Sequence, residues 1–213
     1  MSDVAQGTEA WRLERVGHVT GSRISEVMAK IKSGGYSASR AAYMGELLVE
    51  RLSGAPVEKF QSAAMKRGTE MEPQARAAYT FLRREAVEEV GFCLHPTIPM
   101  AGASADGLVG DVGIVEFKNP EIHTHVDTLL GASIPKAYRD QAQFNLACRP
   151  ERQWVDFVSH CDLMPAGMDV FIQRIPRDDA YIAEIETEVR KFLAELAAKV
   201  AALRARYGQD EAA

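Results

Sequence analysis

The chain of 213 residues has no run of 18 apolar residues, no internal repeat, no low-complexity tract and no Pro/Gly/Ser-rich linker. A membrane-spanning helix, a repeat array and a disordered linker are therefore not expected. Cysteine is scarce: Cys93, Cys148 and Cys161 lie far apart with no C-x-x-C spacing, which argues against a disulfide framework, a zinc cage or an iron–sulfur cluster. The opening stretch MSDVAQGTEAW lacks the basic and apolar regions of a signal peptide, so a cytoplasmic protein is expected. Positive charge is also short overall. The net charge of −5 counts against a protein whose whole surface binds nucleic acid, but not against one with a local basic site. Basic residues do gather early, at Arg12, Arg15, Arg23, Lys30, Lys32 and Arg40. Two readings stand for them, a solvated surface or a nucleic-acid footprint.

What is present is an ordinary globular composition, 46% hydrophobic and 26% charged, long enough for a proper core. SRISEVMA (22–29) opens on a good N-cap and suggests a short helix, followed by the glycine-containing loop KSGGYS. A helix capped by Ser39 is expected to about Leu52, closed by Gly54 and Pro56. Residues 61–83 read as mostly helical, with Pro73 starting a first turn or making a kink. From residue 87 the period shortens. VEEVGFCLH, IPMAGASAD and VGIVEFK read as three strands of a small meander. PKAYRDQAQFNLAC reads as a helix, and WVDFVSHC and MDVFIQRI as two further strands. From Asp178, apolar residues recur every three or four positions as far as Leu203, giving a long amphipathic helix at about 178–207. The expectation is an α/β (α+β) fold, one domain over 1–213, with a central mixed sheet flanked by helices.

Within DGLVGDVGIVEFK (106–118), charged residues stand at one end of apolar strands. On a strand, Glu116 and Lys118 share one face while Val115 and Phe117 share the other. A hairpin turning at Gly110–Gly113 brings Asp106 beside Glu116. Two carboxylates at that distance repel unless a cation sits between them, and hard oxygen ligands suit Mg²⁺ or Mn²⁺. The adjacent Lys118 suits a role in holding a water and stabilising phosphate charge. The other reading of D…E-x-K is an exposed edge strand with an ordinary ion pair. The apolar character of the strand, Ser104 beside Asp106, and Glu72 within RGTEMEPQAR favour the metal site.

Four blocks, in order, resemble a known family. WRLERVGHVTGSRISEVM is similar to its W-x₃-R-x-G-x-[IV]-T-[AG]-S opening, RGTEMEPQAR to its G-x₃-E segment, ASADGL…IVEFKNP to its S-x-DG…E-x-K-x-P core, and PKAYRDQAQFNLA to its Y-x₂-Q-x-Q helix. The family is that of the phage lambda exonuclease or YqaJ-type (alkaline exonuclease) viral recombinases, in the PD-(D/E)xK nuclease superfamily with its restriction-endonuclease-like core. The resemblance spans about residues 11–200. It implies a Mg²⁺-dependent 5′→3′ exonuclease using two ions, with Mn²⁺ as a substitute. Asp106, Glu116 and the carbonyl of Phe117 would hold one ion and Glu72 with Asp106 a second. Lys118 would position and activate the water, and Gln141 would orient water or a phosphate. Arg15 and Ser22 would grip a terminal 5′-phosphate, with Ser104 adding a donor. Lys32 would track a DNA groove, and Met65 would act as an apolar wedge at the terminal base pair. The partners implied are double-stranded DNA ends and a single-strand-annealing recombinase, and the assembly a homotrimeric ring, in a phage or prophage setting without a membrane.

Read by themselves, Ser22 is equally an N-cap, Arg15 a surface ion-pair partner, Lys32 a loop lysine and Met65 a core residue. One departure from the family pattern is Pro96, at a place where an acidic residue can stand. His123 and His125 form H-x-H, but with no third His or Cys at zinc spacing they are read as loop residues. Two other functions remain open at this point: a site-specific endonuclease on the same core, and a DNA-binding module that has lost hydrolysis.

Overall fold

The computed structural model describes residues 4–58, 62–131 and 134–208, without the side chains of Ala64 and Met65. Helix α1 (Glu9–Glu14), capped by Thr8, leads into strand β1 (Val19–Thr20), a 3₁₀ turn at Gly21–Arg23 and helix α2 (Ile24–Met28). Helix α3 (Ala38–Ser53) is capped by Ser37, two residues before the expected Ser39. It closes on Gly54 at φ 69°, a left-handed conformation open to glycine at little cost. Of the two expectations for Pro73, a first turn or a kink, the first holds: α4 (Ala63–Glu70) stops, and α5 (Glu72–Arg83) starts with the proline in its first turn.

The region after residue 86 is not one meander. Strands β2 (Val87–Glu88), β3 (Cys93–Leu94), β4 (Ala101–Ala103), β5 (Gly107–Val109) and β6 (Gly113–Lys118) divide between two sheets. A three-stranded sheet has the order β1-β4-β3. A five-stranded sheet has the order β2-β5-β6-β7-β8, completed by β7 (Trp154–His160) and β8 (Val170–Pro176). In the larger sheet only the β6–β7 pairing is parallel, so the sheet is mixed as expected. Gly102 is what lets the small sheet close. A Cβ there would lie 2.5 Å from the Phe92 ring and 2.6 Å from the Cys93 carbonyl.

Helices cover both faces of the large sheet. Helix α7 (Lys136–Ala147) and the 29-residue α8 (Asp179–Tyr207) bury Phe144, Leu146, Ile185, Phe192 and Leu196 in the main core. Against the other face α5 packs Ala75 and Tyr79 onto Val115, Phe117 and Val158. His123 and His125 are not in a loop. Glu121 is the N-cap residue of helix α6 (Ile122–Leu129), whose buried side carries His125. The His125 imidazole is held by the Ser159 hydroxyl at 2.8 Å and the Met168 carbonyl at 2.8 Å, whereas His123 is exposed. No helix among the described residues is long and apolar enough to cross a membrane.

Candidate active site

The chain changes sheets between β4 and β5, and the three linking residues, Ser104, Ala105 and Asp106, lie where the sheets meet. In the small sheet β1 runs parallel to β4, with Thr20 opposite Gly102, so the turn at Gly21–Arg23 continues alongside Ala103 and Ser104. In the large sheet β5 pairs antiparallel with β6, with Gly107 opposite Val115, which sets Asp106 across from Glu116. One junction thus brings together two groups of residues that are far apart in sequence. A cavity of about 210 Å³ is lined by Arg15, Ser22, Ser104, Asp106, Glu116, Lys118 and Gln141, with Trp11, Gln6 and Gly21 at its walls. A larger one of about 860 Å³ adjoins it through Gln6, Trp11 and Asp106, and reaches Glu72 and Arg76.

At the carboxylate end, Asp106 Oδ2 accepts the Phe117 backbone N–H at 2.7 Å. In a strand the N–H and C=O of one residue face the same neighbour, so the Phe117 carbonyl is directed to the same edge as Asp106. Glu116 is buried at 3% exposure and surrounded by donors. Its Oε1 accepts Lys118 Nζ at 2.6 Å and the Gln141 amide, and its Oε2 accepts Asn145 Nδ2 at 3.0 Å. Lys118 Nζ also lies 3.4 Å from Gln141 Oε1. Glu72, at the start of α5, is held by Arg76 at 2.9 Å.

Charge at this end is unbalanced. Desolvation, then the neighbouring Glu116 charge, push Asp106 well above the ordinary carboxylate range, against the opposing pull of Lys118. Glu72 is raised too, chiefly by desolvation, although Arg76 opposes it. Lys118 is shifted upward because Glu116 and Asp106 together outweigh the cost of burying its ammonium. Among the described residues no group of three or more His, Cys, Asp and Glu stands close enough as arranged to hold a metal ion. The chemistry of the donors nevertheless fits one. Asp106 and Glu116 converge with a carbonyl beside them, all are hard oxygens, and a divalent cation between the two carboxylates would offset their mutual repulsion.

At the other end, Ser104 Oγ accepts from Trp11 Nε1 at 3.0 Å and from Arg15 Nη1 at 3.2 Å. With both acceptor positions taken, its own O–H is left to donate elsewhere. The Arg15 guanidinium stacks 4.0 Å over the Trp11 ring, and desolvation lowers its pKa to about 10. A half-buried guanidinium among aromatic rings, with no carboxylate ion-paired to it among the described residues, favours an anionic ligand. Ser22 is exposed at the rim.

Lys32 is not brought here. It lies exposed in the turn between α2 and α3 and lines neither cavity. The side chain of Met65 is outside the described residues. Of the other early basic residues, Arg23 pairs with Glu26 and Glu46, Lys30 with Glu188 and Arg40 with Glu195, so these three are charge-compensated within the chain. Sequence reasoning missed Asn145, although its position one helical turn after Gln141 put it on the same face. It also missed Gln6, whose amide donates to the Val90 carbonyl at 2.8 Å and the Ala105 carbonyl at 2.7 Å. No local signal marks Gln6.

The profile of the YqaJ-like viral recombinase domain matches residues 10–152. Among solved structures, the chain is similar to an alkaline exonuclease (LHK-Exo) from Laribacter hongkongensis, at 48% identity and a TM-score of 0.88, covering 95% of this chain and 99% of that one. The same relative in complex with dAMP matches equally. A phage-related exonuclease from Haemophilus somnus 129PT shares the fold at 16% identity and a TM-score of 0.68, over 85% of this chain and 96% of that one. No curated protein matches. The chain belongs to the YqaJ-like viral recombinase family, with the fold of the PD-(D/E)xK-type exonucleases.

Proposed function

We propose that this exonuclease degrades one strand of linear double-stranded DNA in the 5′→3′ direction. It would start from 5′-phosphorylated ends, release mononucleotides and leave 3′ overhangs for a single-strand-annealing recombinase in a phage or prophage setting. The observation that carries the reading is the single cavity in which an anion grip (Arg15, Ser22, Ser104) faces a carboxylate–lysine cluster (Asp106, Glu116, Lys118, Gln141). The dAMP complex of LHK-Exo supports a deoxynucleotide ligand for such a site. The homotrimeric ring implied by the family resemblance would reconcile the net charge of −5 with a locally positive DNA channel.

In the mechanism we infer, the Arg15 guanidinium and the Ser104 hydroxyl bind the terminal phosphate and Ser22 adds a donor at the start of the turn. That grip fixes the register, so that the first phosphodiester sits against Asp106 and Glu116. Two divalent ions, Mg²⁺ or Mn²⁺, held by Asp106, Glu116 and the Phe117 carbonyl, and by Glu72 with Asp106, would supply Lewis-acid stabilisation of the attacking and leaving oxygens. Lys118, kept as an ammonium by its two carboxylates, orients the attacking water and donates to phosphate oxygen. Gln141 holds Glu116 and Lys118 in line from α7.

Digestion of linear duplex DNA with 5′-phosphate or 5′-hydroxyl ends, beside a closed circle, tests this. Mononucleotide release from phosphorylated linear ends in Mg²⁺, abolished by chelator, is expected. Cutting of the circle would mean an endonuclease, and no cutting at all a binding module.

A further inference from the structure

Glu116 has three donors on two oxygens. A carboxylate offers about four acceptor directions, two on each oxygen. Lys118 and Gln141 take both on Oε1, and Asn145 takes one on Oε2. The direction that remains belongs to Oε2, the oxygen that Asn145 alone holds. Asn145 is 1% exposed, and its own Oδ1 has no hydrogen-bond partner among the described residues. That oxygen faces Gly21, the first residue of the turn that carries Ser22. A Cβ on Gly21 would come 3.0 Å from Asn145 Oδ1 and 3.2 Å from the Ala103 Cβ. One carboxamide therefore spans the space between the phosphate-grip turn and the carboxylate of β6.

We propose that Asn145 is a positioning residue that aims the remaining Oε2 direction of Glu116 at a divalent cation, and that Gly21 is required because its missing Cβ leaves the carboxamide in place. This rests on the metal reading given above. The physical reason is that a ligand's partners outside the metal set fix its orientation, and their loss typically weakens metal affinity about 10–100-fold. Asn145 and Gly21 then act through one contact. A methyl on Gly21 can only be accommodated by moving the backbone of the turn, Ala103 or the Asn145 amide, and moving the amide lengthens its 3.0 Å bond to Glu116.

The test is Mn²⁺ binding to the DNA-free full chain, followed by the free-ion electron paramagnetic resonance signal, with circular dichroism and Tm as controls for folding. Asn145→Ala is expected to weaken Mn²⁺ binding about tenfold or more. Gly21→Ala is expected to weaken it in the same direction by a smaller factor. The double variant should bind no more weakly than Asn145→Ala alone, because the methyl then has no amide to displace. Wild-type affinity in Asn145→Ala, or losses that multiply in the double variant, would overturn the proposal. Should Asn145→Ala fail to fold, unchanged affinity in folded Gly21→Ala overturns it instead. Glu116→Gln separates the two levels: if it binds Mn²⁺ like the wild type, the metal reading itself fails and the proposal falls with it.

Discussion

Lys118 Nζ lies 2.6 Å from Glu116 and is held protonated by the two carboxylates around it. A group in that state contributes by orienting water and by charge on the developing phosphorane, not by binding the duplex. Lys118→Ala is therefore expected to retain DNA binding and divalent-cation binding while turnover falls ~10²–10⁴-fold; single-turnover cleavage beside a gel-shift titration measures both, and normal cleavage would sink the mechanism. Arg15 acts at the opposite wall. Arg15→Ala removes charge-assisted bonds to an anion, so the rate ratio between 5′-phosphorylated and 5′-hydroxyl ends is expected to drop about 10–100-fold, with little change on hydroxyl ends. Competition between the two kinds of end in one tube reads that ratio directly. Asp106, Glu116 and Lys118 were legible because strand periodicity puts Glu116 and Lys118 on one face, and a hairpin turn returns Asp106 to them. The hydrogen bond from Trp11 to Ser104 was not, because it joins residues 93 positions apart in different elements.

Helix α5 ties Glu72 to the large sheet. Its first residue is Glu72, while two turns later Tyr79 donates to Asp156 Oδ2 at 2.9 Å, on β7. Asp156 is fully buried and also accepts Arg174 Nε at 2.8 Å and Nη2 at 2.9 Å. Between them, Tyr79 meets Phe117 edge-on, with ring centroids 6.0 Å apart. Tyr79→Phe keeps this packing and deletes one bond to a buried carboxylate, so an unfolding free energy lower by about 1–3 kcal/mol is expected in urea titration. A loss near zero would mean that Arg174, with Arg83 Nε 3.8 Å from Oδ2, satisfies Asp156 without the tyrosine. The helix itself was readable from its period and from Pro73. The division of 87–118 between two sheets was not, since β4 finds its parallel partner in Val19–Thr20, some eighty residues earlier, and alternation along a strand carries no information about a partner so distant. The helix at 122–129 was also missed, because H-x-H drew attention to ligand spacing rather than to the face shared by His125, Thr128 and Leu129.

For the whole molecule, the same burial that shapes the site makes the fold sensitive to acid. Of five histidines, His18, His95 and His160 all have pKa values lowered, in each case chiefly by desolvation. An unfolded histidine titrates near 6.5. Between that value and the lower folded one, the unfolded chain binds more protons than the native chain, so the stability these residues contribute is complete above pH ~6.5 and is lost as pH falls below it. Asp106 acts in the opposite sense: its raised pKa means that the native state binds the extra proton, which favours folding as pH falls. Glu72 and Glu26, both raised by desolvation, act like Asp106. Asp106→Asn removes one of these opposing contributions. In that background Tm is expected to decline as pH drops from 7.5 to 5.5, measured without divalent cation. Adding His95→Asn should flatten the decline, because an amide oxygen can replace Nδ1 in accepting the Thr97 and Ile98 N–H groups, at 3.2 and 3.1 Å, without ever taking a proton in this range. A slope unchanged by His95→Asn would place the acid sensitivity elsewhere in the fold.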